Sequence, residues 1–139
     1  MYIWFLFFRF ALEPSIIPPL VINLVNSSKE DVVLDATVEF ELLEGARVTL
    51  GTTTATGVMD LIPAGSEKQE FITIPAESSL LVGGYFRQPE RLLPIMEKGN
   101  TDIMLRIYKG GGGIIINMNP FRFDKGMLEK YRMDLEVSQ

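Results

Sequence analysis

The chain has 139 residues, 47% of them hydrophobic and 22% charged, and a formal net charge of −5. That length suits one folded domain with one core, and the composition excludes the polar, aromatic-poor signature of a disordered chain. Its 13 Lys and Arg residues are scattered, leaving no basic surplus for phosphates and arguing against nucleic acid as a partner, while the lack of cysteine and histidine removes disulfides, thiol and imidazole nucleophile pairs, and the N/S ligand sets of zinc, copper and iron.

Tyr2 to Phe8 is the most hydrophobic stretch, but Arg9 and Glu13 interrupt it well short of the roughly 18 to 20 apolar residues of a membrane span. Neither a positively charged start nor a small-residue cleavage site precedes Pro14, so a signal peptide is not indicated. Residues 1–12 read as an aromatic first strand, as the remnant of a membrane anchor, or as a sticky edge used for self-association. In a regular strand half of the rings face outward. Trp4, Phe5, Phe7 and Phe8 are therefore the expected interaction surface, for a protein, a bilayer surface or a second copy.

Pro14, Pro18 and Pro19 mark residues 13–19 as a linker, and residues 20–139 as the body of the domain. A strand is expected from Leu20 to Val25, ending in the polar turn Asn26 to Asp31. Ala36, Val38, Phe40 and Leu42 then alternate with Asp35, Thr37, Glu39 and Glu41, the period of a half-buried antiparallel strand. Glu44-Gly45 turns the chain. Val48 to Met59, threonine-rich and broken by Gly51 and Gly57, reads as a strand that bends or bulges.

Pro63 to Ser66 is a turn, and Glu70 to Ile74 a short strand closed by Pro75. Ser78 to Phe86 and Gln88 to Lys98 are the only stretches with helical character, limited to a turn or two each by Gly83, Gly84 and Pro94, and they suit a crossover between sheets. Asp102 to Tyr108 alternates again. Lys109 to Gly113 supplies a hairpin loop before Ile114 to Met118, and after a turn at Asp124 to Gly126 the alternation of Tyr131, Met133, Leu135 and Val137 gives a closing strand. These elements predict an all-β fold, an antiparallel immunoglobulin- or fibronectin-like sandwich of about seven strands with a short helical crossover insert.

The order of features from Leu20 onward resembles the type 2 late-embryogenesis-abundant proteins, which carry the water-stress and hypersensitive-response (WHy) domain. The resemblance is carried by Leu20 to Ser28, Leu34 to Leu43, Glu44-Gly45, Val48 to Gly51, Ile62 to Ser66, Phe71 to Pro75 and the hairpin at Lys109 to Gly113. It covers about 110 residues. Asn26, Ser27 and Ser28 occupy the family's turn motif, with the two serines standing where that family has Pro and Asn. The resemblance implies a non-enzymatic immunoglobulin-like sandwich associated with protection under desiccation, cold or other stress.

Sites for chemistry are few. Gly110 to Gly113 lacks the Gly-Lys-Ser/Thr ending and the following helix of a phosphate cradle, so it reads as a hairpin loop. Glu39 and Glu41 share a strand face, where solvent keeps two carboxylates alike and unsuited to acid–base work. Glu30, Asp31 and Asp35 offer oxygens to calcium without the Gly-centred spacing of an EF-hand. Asn26-Ser27-Ser28 matches the N-glycosylation pattern, alongside its role as a turn. No catalytic residue, metal ligand or cofactor site is assigned. The expected function is that of a stress-associated or scaffold β-sandwich acting by surface contacts with proteins or membranes; the alternative is an extracytoplasmic immunoglobulin-like adhesion or assembly module, anchored or self-associating through its N-terminal aromatic segment. Lack of cysteine fits the cytoplasm and also leaves an extracytoplasmic or membrane-associated location open.

Overall fold

A computed structural model describes residues 17–44, 52–113 and 115–138. Residues 1–12, with Trp4, Phe5, Phe7 and Phe8, the turn at Gly45 and the start of the strand expected from Val48 lie outside the described residues. Among the described residues, ten strands and two helices follow one another: β1 (Leu20–Asn26), β2 (Val32–Asp35), β3 (Thr37–Glu44), β4 (Thr52–Pro63), β5 (Phe71–Ile74), β6 (Ser78–Phe86), α1 (Pro89–Lys98), β7 (Thr101–Tyr108), β8 (Ile115–Asn117), β9 (Phe121–Arg122), α2 (Lys125–Lys130) and β10 (Arg132–Glu136). The fold is all-β. Its large sheet runs β10-β1-β6-β4-β3-β7-β8 with β9 also on β7, and β2 and β5 form a second sheet.

Alternation explains the inward rows. Leu20, Ile22 and Leu24 of β1, Val38, Phe40 and Leu42 of β3, and Ile103, Leu105 and Ile107 of β7 are almost fully buried in one core, joined by Val32, Leu34, Ile72 and Ile74 of the small sheet. Each such side chain stabilises the fold by roughly 1.5 to 3 kcal/mol. The Phe40 ring meets Phe86 edge-on at 5.3 Å, and Phe86 meets Phe123 at 5.7 Å, so one aromatic chain links β3, β6 and the segment before α2.

Several expectations are corrected. The sheet is mixed, because the closing strand β10 lies parallel to β1, pairing Ile22 with Met133 and Leu24 with Leu135. The alternating run through Ala36 is two strands. Ala36 donates its N–H to Glu70 O at 3.0 Å and accepts from Leu61 N at 2.7 Å, so the chain leaves the small sheet and enters the large one at this fully buried residue. Counting β2 and β3 apart, with the short β8 and β9, raises the strand number above seven.

Ser78 to Phe86 is not helical. It forms β6, inserted between β1 and β4, where a Cβ on Gly84 would come within 2.7 Å of Met59 Sδ. Only glycine lets the Met59 side chain lie across the strand there. Gln88 to Lys98 does contain a helix, α1, ten residues long despite Pro94, with Leu92 and Met96 buried and Gly99 closing it at φ 69°. Asp124 to Gly126 is also more than a turn: Asp124 Oδ1 accepts from Met127 N at 2.8 Å and so caps α2. Within the expected linker, Ile17 is a core residue at 1% exposure.

Candidate functional site

The outward rows of β1, β6 and β4 make an exposed apolar face around Leu81 and Tyr85. In register, Val21 pairs with Gly83 and Gly83 with Ile62, while Asn23 pairs with Leu81 and Asp60 with Tyr85. Leu81 is 45% and Tyr85 42% exposed. A Cβ on Gly83 would stand 2.9 Å from Tyr85 Cε1, so the tyrosine ring lies down over the glycine backbone. The result is a shallow groove of about 250 Å³, walled by Pro19, Val21, Ile62, Leu81 and Tyr85 and bounded by the Pro63 to Ser66 turn.

Charges border this groove in compensated pairs. Arg87 grips Asp60 with both arms, Nη2 to Oδ1 at 2.7 Å and Nε to Oδ2 at 3.0 Å, and Lys68 Nζ stands 3.4 Å from Oδ1. The Arg87 hydrogen bonds hold the Asp60 carboxyl below its ordinary range, with Lys68 adding to the effect, and the same contact raises the Arg87 guanidinium. Asn23 Nδ2 donates to Asp134 Oδ1 at 3.2 Å. The face thus sets apolar surface beside a border where Asp60, Arg87 and Lys68 pair with one another.

Asn26 is placed differently from a surface turn residue. It is 1% exposed, and its amide nitrogen donates to Glu30 O, Ile74 O and Pro75 O at 2.8, 3.0 and 3.2 Å. Its Oδ1 accepts from Ser28 N at 3.0 Å and Ser28 Oγ at 2.7 Å. The amide therefore ties the end of β1, the following turn and the end of β5 together. A glycan cannot sit on a buried nitrogen occupied by three carbonyls, so the glycosylation reading fails in the folded chain and the turn role stands.

Ser27 points the other way. Its N and Oγ donate to Glu136 at 3.0 and 2.5 Å, and Ser138 N donates to the same carboxylate at 3.2 Å. The Ser138 hydroxyl completes the set, and with Ser27 it brings the Glu136 carboxyl down to about 2. Ser27 thereby stitches the end of β1 to the end of its parallel neighbour.

The other residues singled out by the sequence are structural or dispersed. Asp31 Oδ1 accepts from Ala76 N at 2.9 Å, and no three His, Cys, Asp or Glu side chains converge on a cation position among the described residues. Glu39 accepts from the Tyr108 hydroxyl, a bond that raises the phenol, while Glu41 pairs with Arg106. The Lys109 to Gly113 loop joins β7 to β8, with Gly111 and Gly112 at φ 85° and 79°. Gly110 N bonds Val33 O at 2.9 Å, fastening this loop to the small sheet. Asp102, 4% exposed, faces Arg122 Nε at 3.4 Å across the β7–β9 pair, and Arg122 Nη1 donates to Gly99 O at the end of α1 at 2.6 Å.

The Leu81 and Tyr85 face escaped the sequence because β6 has apolar residues on both sides, which hides the two-residue period. Its signal was Gly83 beside Gly84, which marks close approach in a strand as readily as a break in a helix. No protein-family model matches the chain, and neither a curated protein nor a solved structure does.

Proposed function

We propose that this chain is a non-enzymatic, immunoglobulin-like β-sandwich of the late-embryogenesis-abundant type 2 kind, which protects other proteins by contacts made through the outer face of β1, β6 and β4. The observation that carries this reading is the joint exposure of Leu81 and Tyr85 on one sheet face continuous with Val21 and Ile62. Apolar patches rimmed by polar groups are the signature of contact sites, and a tyrosine lying flat supplies a rigid amphipathic anchor. A net charge of −5 disfavours the anionic surface of most bilayers, which leaves proteins with exposed apolar surface as the better match.

The test is protection of a drying-sensitive enzyme, citrate synthase, through desiccation and rehydration. The intact chain suppresses its aggregation more than an equal mass of albumin, and Leu81→Glu or Tyr85→Ser, each with unchanged circular dichroism, removes most of the difference. Equal protection by both variants and the parent sinks this assignment of the face, and protection no better than albumin sinks the function.

A further inference from the structure

We infer that β10 is a self-pairing edge, through which a second copy of this chain adds antiparallel to the large sheet. Among the described residues β10 bonds β1 alone and forms one border of that sheet. Val137 donates its N–H to Val25 O at 2.8 Å, and backbone groups turn to alternate sides along a strand. Met133, Leu135 and Val137 therefore serve β1, while Arg132, Asp134 and Glu136 turn their N–H and C=O to the open border. Such a border is a template for another strand. It is held in place at both ends, since Tyr131 stacks on Phe121 at 4.8 Å and Ser27 donates to Glu136. A strand already ordered loses little freedom on pairing.

Charge selects the occupant. Lys130, Arg132, Asp134 and Glu136 follow one another at every second position, two cations and then two anions, and the first three are exposed. Edge charges ordinarily keep copies apart, but this row is its own complement when reversed. Antiparallel pairing about a two-fold axis at Met133 sets Arg132 opposite the second copy's Asp134 on both sides of the axis, and brings Lys130 toward the second copy's Glu136. Arg132 and Asp134 both present their backbone to the border, so each such pair exchanges N–H···O bonds in both directions. Moving the axis to Asp134 sets that carboxylate against itself, and parallel pairing in register sets every charge beside its like; both arrangements are disfavoured. A uniformly acidic or basic segment from another protein matches only half of the row. The two-fold contact occupies both borders and closes at the dimer. The outer sheet faces then run on across the junction, with β10 and β1 of each copy lying between the two β6 strands.

Sedimentation velocity of the full chain, from micromolar to millimolar concentration, tests this. The parent shifts from monomer to dimer with no larger species, and the shift weakens in high salt. Arg132→Asp and Asp134→Arg, each with the parent's circular dichroism and thermal midpoint, place like charges across the axis and weaken dimerisation by more than about tenfold. Mixed in equal amounts, the two variants dimerise with each other, because every cation across the axis again meets an anion. Such recovery distinguishes a charge-matched edge from variants that merely disturb the fold. A parent that stays monomeric at millimolar concentration overturns the proposal. So does a dimer that neither reversal weakens, which places the contact on another surface. Single variants that fail to recover on mixing overturn the register, and with it the assignment of β10.

Discussion

Phe40 on β3 lies with its ring over Gly57 on β4, its register partner: a Cβ placed on Gly57 would stand 2.5 Å from Phe40 Cζ. The glycine that the sequence offers as a bend is the space into which a core aromatic closes. Ring over bare backbone is also how a strand glycine recovers the packing that it lacks.

Gly57→Ala therefore destabilises the domain by about 1 to 3 kcal/mol through overpacking. Phe40→Ala costs about 3 to 5 kcal/mol through a cavity, and Phe40→Asp leaves no folded protein. Combining Gly57→Ala with Phe40→Leu costs less than the sum of the single changes, because the smaller side chain vacates the clash. Urea midpoints of the parent, Gly57→Ala, Phe40→Leu and the double variant check this, and strict additivity would show that the ring does not rest on the glycine.

Asn26→Ala should cost about 3 kcal/mol, since the Ile74 carbonyl is buried and loses its amide donor. Asn26→Asp should cost more, because a carboxylate then faces Glu30 O, Ile74 O and Pro75 O with nothing to donate. Thermal midpoints in the order parent, Ala, Asp are expected. A neutral Asn26→Asp change would mean that the amide does not serve these carbonyls.

The Glu136 carboxyl has a folded value of about 2 against an ordinary 4.5, so the folded state favours its ionised form. The resulting stabilisation is complete above pH 4.5 and is lost as pH falls toward 2. Glu136→Gln lacks this contribution at every pH, so its stability should converge on that of the parent as acid is added through this window. Chemical denaturation across the window measures the convergence; a constant gap between the two proteins would assign the acid loss to other carboxylates.

Arg122 joins the Asp102 carboxylate to the Gly99 carbonyl at the end of α1, where the helix dipole is negative. Arg122→Met removes both contacts and should cost about 2 kcal/mol. Arg122→Lys should recover part of the loss, since it keeps the charge but not the two-armed geometry. Hydrogen exchange in α1 provides the local readout, with protection of Met96 and Gly99 falling most in the methionine variant.

Much of the fold is legible from residues that alternate. Val38, Phe40 and Leu42, then Ile103, Leu105 and Ile107, then Met133 and Val137 declare their buried sides locally, because a strand with one wet face must repeat every second residue. Pro63 to Ser66 and Pro75 likewise declare chain turns through their own backbone limits. That much, with the all-β class and the absence of cysteine and histidine chemistry, belongs to the sequence by itself. Only the tertiary structure decided that Ala36 divides one alternating run between two sheets, that β10 lies parallel to β1, and that Ser78 to Phe86 is a central strand whose outer residues form the exposed face. These choices depend on which distant backbone satisfies each N–H and C=O, and partners so far apart in sequence leave no periodic trace in either segment. The burial of Asn26 follows the same logic, since two of the carbonyls it serves lie nearly fifty residues away on another strand's end.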